Sequence, residues 1–272
     1  MKKQRQTLLA IDIGNSTVRL GLYPDAEKRK PFFIKTLPSD RAASSGTMSR
    51  LIREFVYRDG RSFPAGDITA VISSVVPALN PHVIAAVKDV CKNPLIVDYR
   101  IAGGLSFEVP QPQTIGSDRI VNALAGFSLF GKPAAVVDFG TATTITVIGR
   151  HAVFLGGAIM PGINIMRQSL AAGTAKLPEV SLSAPCSVIG RDTASAITSG
   201  IVHGTAGAID SIVKGIEKEI HKGVRVILTG GHAGLVSPFL KRKHVLVPHL
   251  IFEGMRLIFI HHSEHISHNC VY

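Results

Sequence analysis

The chain has 272 residues, 46% of them hydrophobic, enough to bury the core of one large domain or two of ordinary size. Its formal net charge is +11, but lysine and arginine are scattered, with short clusters only at residues 2–5, 28–30 and 241–243 and no aromatics between them, so nucleic acid is not expected as the main partner. No run of about 18–20 apolar residues offers a membrane span. The basic start leads into an apolar run broken by Asp12, unlike a signal peptide, and Cys91, Cys186 and Cys270 are too far apart for a metal knuckle, which suits reduced thiols in the cytoplasm.

In chain order, period-two and short apolar runs predict strands at 7–13, 17–23, 32–37 and 68–74, with helical spacing at 47–58 and 78–91. A Pro- and Gly-rich stretch at 103–116 follows and is the best place for a domain boundary, giving 1–116 and 117–272. Beyond it come a helix at 117–130, strands at 134–139, 143–148 and 152–157, helices at 162–171 and 192–221, a strand at 224–229, and helices at 232–241 and 251–262. Strands and helices mix throughout, which indicates an α/β fold.

A repeat is the most informative feature. An apolar strand ends in Asp12, Gly14 and the polar Asn15, Ser16 and Thr17; the same pattern returns 126 residues later with Asp138, Gly140, Thr141, Thr143 and Thr144. A glycine after a strand-end acid lets backbone approach a ligand, and the N–H groups and hydroxyls around it can donate to phosphate oxygens while the Asp accepts a cation or its water shell. One Asp-x-Gly turn is ordinary hairpin chemistry. Two such copies imply two similar domains. A third element, the strand 224–229 followed by Gly230 and Gly231, would let an adenine or ribose lie on bare backbone.

Two phosphate hairpins and a Thr-Gly-Gly turn resemble the acetate and sugar kinase, Hsp70 and actin superfamily. More narrowly, Asp12-Ile13-Gly14-Asn15-Ser16, Gly116-Ser117-Asp118-Arg119 and Asp138-Phe139-Gly140-Thr141 resemble, in the right order, the motifs of the type III pantothenate kinase family. Further stretches, 156–162, 174–178 and 189–193, continue the series. The resemblance implies a duplicated ribonuclease H-like (actin-like ATPase) fold, with mixed central sheets flanked by helices and ATP in the cleft between the halves. It implies ATP-dependent phosphorylation of the 4′-hydroxyl of pantothenate, the first step of coenzyme A synthesis, with Mg²⁺ and a monovalent cation, K⁺ or NH₄⁺.

For the residues, the resemblance implies Asp118 as general base and a substrate site of Gly116, Ser117, Asp118, Arg119 and Thr193, with Val109 lining it. Nucleotide contacts fall to Asp12, Ile13, Gly14, Asn15, Ser16, Thr17, Val18 and Arg19, to Thr141, and to Gly230 and Gly231; Asp138 takes the cation. A homodimer is implied, with Thr193 completing the neighbour's site. Without the resemblance, Asp118 would read as a carboxylate complementing a helix dipole, and Thr193 as a helix cap. Val109 stands where the family has a Tyr, Ser16 where it has a Thr, and Arg19 where it has a Lys. Another small-molecule kinase of the superfamily, or a non-catalytic ligand-binding regulator, are the alternatives. The histidines 261, 262, 265 and 268 beside Cys270 read as a solvated tail rather than a metal site.

Overall fold

The computed structural model describes residues 7–29, 31, 33–42, 44–60, 63, 67–91 and 93–269. His265 and His268 have no described side chains, and Cys270 lies outside the described residues, so the C-terminal cluster is not assessed beyond His262. By packing, the chain forms two compact units, one of residues up to Ala125 together with those from Leu250 onward, the other Gly126–His249.

In the first unit, β1 (Thr7–Ile13), β2 (Thr17–Tyr23), β3 (Phe33–Pro38), β4 (Ile68–Ser74) and β5 (Leu95–Ile96) form a sheet in the order β3-β2-β1-β4-β5. The β1–β2 and β2–β3 pairs are antiparallel, and β1–β4 and β4–β5 are parallel. All seven residues of β1 are buried, which is why it reads as an apolar run interrupted only by Thr7 and Asp12. One face carries Leu9, Ile11 and Ile13 against Met48 and Ile52 of α1 (Ser45–Val56) and Val83 and Val87 of α2 (Asn80–Val87). The C-terminal helix α7 (Leu250–Asn269) packs on β1 and β4. There Arg256 is buried, donates to both carboxylate oxygens of Glu253 at 2.8 Å, and reaches the Ala26 carbonyl at 3.0 Å. That network satisfies two charges that burial would otherwise penalise by several kcal/mol, roughly. A two-residue strand, β6 (Ser106–Phe107), precedes α3 (Ser117–Phe130).

The second unit repeats the plan. β7 (Ala134–Phe139), β8 (Ala142–Ile148), β9 (Val153–Pro161), β10 (Arg225–Thr229) and β11 (His244–Leu246) stand in the order β9-β8-β7-β10-β11. Again the first three pair antiparallel and the last two add in parallel. Helix α4 (Ile163–Gly173) and the long α5 (Thr193–Glu219) follow β9, and Ile201, Ile209 and Val213 of α5 join Val137 and Leu228 in the core. Identical strand order and direction in both units is the duplicated ribonuclease H-like plan expected from the repeat.

Three details differ from the sequence reading. The division falls inside α3 rather than at residue 116/117, and α7 belongs with the first unit, because its apolar side packs on β1 and β4. The helix expected at 232–241 is only α6 (Ala233–Val236), continued by a 3₁₀ turn at Ser237–Phe239, since Pro238 cannot continue an α-helical ladder. Finally, β5, β6 and β11, of two or three residues each, are too short to leave a periodic signal. Among the described residues, no helix is long and apolar enough to cross a membrane.

Candidate active site

In the first unit, the end of β1 brings Asp12 into register with Arg19 on β2 and Ser73 on β4. Asp12 is buried, and Arg19 holds it through Nε at 2.8 Å and Nη2 at 2.6 Å. Burial pushes the Asp12 carboxyl above its ordinary range, Arg19 pulls it back, and the negative charge of Asp118 pushes it up again. The two carboxylates therefore sense each other within this unit.

Asp118 occupies the first turn of α3, where its Oδ1 accepts from the Arg119 backbone N–H at 2.8 Å. Its carboxyl is also raised, chiefly by burial; that N–H and the charges of Arg119 and Arg19 oppose the rise. Burial lowers the Arg119 guanidinium and Asp118 raises it. Ser117 is buried, its hydroxyl donating to the Ser74 carbonyl at 3.0 Å and lying 3.0 Å from the Ser73 hydroxyl. Its hydroxyl thus fastens the start of α3 to the end of β4. Gly116 is required by close approach: a Cβ there would lie 2.5 Å from Asp118 Oδ1 and 3.3 Å from Val75. Val109 is half-buried in the loop before α3.

The β1–β2 turn presents Asn15 and Ser16 at the surface, with Gly14 N–H bonded to the Thr17 carbonyl at 2.9 Å. Ile13 and Val18 are buried as a cross-strand pair, so they shape the turn from beneath. Ser39 clamps this turn from the end of β3. Its N–H donates to the Ser16 carbonyl at 3.1 Å and its hydroxyl to the Gly14 carbonyl at 2.7 Å. Ser39, Ser73 and Ser74 are supporting residues that sequence reasoning missed; the Ser-Ser pair closing an apolar strand was the only signal available.

In the second unit, Asp138 has Thr144 opposite it on β8 and Thr229 on β10. The position equivalent to Arg19 is thus a threonine. Gly230, at φ +93, presses against this acid: a Cβ would fall 2.4 Å from Asp138 Oδ1 and 2.6 Å from the Phe139 nitrogen. Gly231 has open space around it, and Thr141 is exposed at the turn. Thr143 is fully buried beneath, its hydroxyl without a hydrogen-bond partner. Thr193 is exposed at the first position of α5 and does not cap it. The cap is Asp192, whose carboxylate accepts from Ser195 N–H at 2.9 Å in a capping box, leaving the Thr193 side chain outside that role.

Around Asp138 stand the Thr144 and Thr229 positions and Gly230, an oxygen-bearing set whose chemistry fits a hard cation; the Asp12 carboxylate is engaged by a guanidinium. Among the described residues no group of three or more His, Cys, Asp or Glu could hold a metal ion.

Two sheets of one strand order, each with an Asp-tipped hairpin, are the duplicated ribonuclease H-like plan of the actin-like fold. The chain belongs to the type III pantothenate kinase family, whose profile matches residues 8–215 and so takes in both hairpins, residues 116–119 and Thr193. Its activity is the ATP-dependent phosphorylation of pantothenate. Among solved structures, it is similar to a protein of Campylobacter jejuni assigned to the Baf family of transcriptional activators, at TM-score 0.58 and 21% identity over 94% of this chain and 99% of that one. It is similar as well to the ethanolamine utilization protein EutJ of Carboxydothermus hydrogenoformans, at TM-score 0.55 and 18% identity over 95% and 92%. A ROK family protein of Streptococcus pneumoniae, solved with sucrose, matches at TM-score 0.50 and 12% identity over 96% and 100%. At these identities the likeness is one of fold.

The raised Asp118 carboxyl has a consequence for stability. With the folded pKa above the unfolded one, the ionised group costs stability at neutral pH, and the cost vanishes below about pH 3.9, where both states hold the proton. Asp118→Asn is expected to raise the melting temperature at pH 7 and to leave it unchanged near pH 3. Thermal scans at the two pH values check this; a loss at pH 7 would show that the carboxylate stabilises the fold.

Proposed function

We propose that Asp118 is the general base of the pantothenate kinase reaction, and that the Asp12–Arg19 pair sets its charge environment. The observation that carries this is a half-buried carboxylate with a raised pKa at the start of α3, within the field of Arg19 and Arg119. Phosphoryl transfer has a loose transition state, so the protein mainly supplies positioning, charge neutralisation and one acceptor for the hydroxyl proton. Asp118 takes that proton as the 4′-oxygen of pantothenate bonds to the γ-phosphorus and the bond from that phosphorus to the bridging oxygen breaks. A carboxyl raised toward neutral pH is a better base than an ordinary one. Arg119 offers a planar donor fork to the substrate's carboxylate or amide, and Val109 and Thr193 complete the acceptor site. The turn N–H groups and hydroxyls at residues 14–17 and Thr141 are assigned to the phosphates, and Gly230 and Gly231 to the adenosine.

Asp118→Asn should lower kcat for pantothenate by about 10²–10⁴ while ATP binding stays within a few-fold, because only the acceptor's proton is affected. A fall under tenfold would reduce Asp118 to a helix-end residue.

The monovalent cation is assigned to Asp138, where it would neutralise phosphate charge, with Mg²⁺ accompanying the ATP. The support is a strand-end carboxylate set between Thr144 and Thr229, with Gly230 pressed against it. Activity is expected to rise when K⁺ replaces Na⁺ at constant Mg²⁺, and Asp138→Ala to remove that response. Equal rates in the two salts would sink the assignment.

The protein is also read as a cytoplasmic homodimer whose Thr193 serves the neighbour's site. Free thiols at Cys91 and Cys186 suit a reducing compartment, and Val188 and Ile189, 68% and 77% exposed just before α5, suit an apolar contact. Val188→Asp with Ile189→Asp should halve the mass measured by ultracentrifugation and abolish activity. A mass of one chain for the wild type would overturn the dimer.

A further inference from the structure

The second unit contains a cavity of about 740 Å³, within the size range of small-molecule sites. It is not at the hairpins. Its wall includes Lys132 and Pro133, just before β7, and Arg225, the first residue of β10, whereas Asp138 and Thr229 lie toward the other ends of those strands. At about 3.3 Å per strand residue, the five steps from Pro133 to Asp138 separate the two places by ~16 Å.

The charge of this cavity is one-sided. Lys132, Arg150, His151, Lys222, Arg225 and Lys243 line it, and no acidic residue does. They come from four separate segments: the turn after α3, the β8–β9 turn, the α5–β10 turn and the approach to β11. Among the described residues, none of the five Lys and Arg side chains is in an ion pair with a carboxylate. Two acids of α5, Glu217 and Asp210, are engaged elsewhere. Glu217 accepts from Arg242 at 3.2 Å and from the Val224 N–H at 3.1 Å, and Asp210 accepts from the Lys241 N–H at 3.0 Å and lies 3.6 Å from Arg242. Arg225 is held over the Phe130 ring at 5.3 Å, which fixes one donor fork. Arg150 and His151 are turned onto the wall by a backbone that is left-handed at His151, φ 57, and at Ala152, φ 59. Such conformations persist where surrounding structure imposes them.

Five exposed cations with no carboxylate partner among the described residues surround one concavity, and their summed positive potential favours an anion there. Phe127, Pro133 and Val224 add an apolar shelf beside the charges. We propose that this cavity binds a small organic anion carrying two or more phosphate groups, with the phosphates on the lysines and arginines and an apolar portion on the shelf. The site is separate from the kinase machinery and stands whether or not pantothenate is the acceptor.

The test uses the full chain and inorganic tripolyphosphate as the probe. Calorimetric titration of the wild type should show a site that weakens as salt rises from about 50 to 200 mM, because exposed charges are screened. Lys222→Ala with Lys243→Ala should weaken that site tenfold or more, with melting temperature and pantothenate kinase activity unchanged. Phosphate hairpins elsewhere also bind the probe, so the loss must be of one site with the other retained. Titration of the double variant with the wild-type number of sites and affinities would overturn the proposal. A single-stranded oligonucleotide binding more tightly than tripolyphosphate, and released by the same pair of substitutions, would overturn it in favour of nucleic acid.

Discussion

The first hairpin depends on the contact between Asp12 and Arg19. A carboxylate buried at a strand end would ordinarily be protonated or expelled; here the residue opposite it on β2 supplies a guanidinium at 2.6 Å. The pair is not a strong source of stability, since the desolvation of both groups offsets most of their attraction. Its effect is electrostatic and local. Arg19 restrains the rise of both carboxyls, and Asp12 keeps its charge close enough to Asp118 for the two to couple. Ser39 fixes the turn from one side, and the Ser73–Ser117 contact fixes the start of α3 from another.

The second unit has the same strands in the same order, and its hairpin acid sits between the corresponding neighbours, but the arginine is replaced by Thr144. The duplicated position thus carries an arginine in one unit and a threonine in the other, without any change of backbone plan. Asp12 is matched by a protein cation, whereas Asp138 has threonines at its cross-strand positions and Gly230 against it.

Much of this was legible in the sequence because the signals were local. The boundaries of β1, β2, β4, β7 and α3 follow from apolar runs and turn residues, and the duplicated Asp-Gly turns announced the fold before any packing was known. What was not legible depended on distance in space. Arg19 was visible as a residue of the motif, but its contact with Asp12 depends on a hairpin register fixed by the turn. The bond from the Ser117 hydroxyl to the Ser74 carbonyl of β4, 43 residues away in sequence, left no local signal. Thr193 could be read as a cap until Asp192 was seen to fill that role. Scattered lysines and arginines looked like a diffuse positive surface; five of them, from four segments, line one cavity.

Burial holds the Asp118 carboxyl above its ordinary range against the pull of Arg19 and Arg119, and as the proposed base its ionisation would govern proton removal from the acceptor. A carbon-13 titration of the Asp118 carboxyl, set beside the pH dependence of kcat/KM for pantothenate, tests it most directly. The account requires a midpoint above the ordinary Asp value of about 3.9, with the acid limb of kcat/KM following that midpoint. An ordinary or depressed midpoint, or an acid limb that ignores it, would contradict the account.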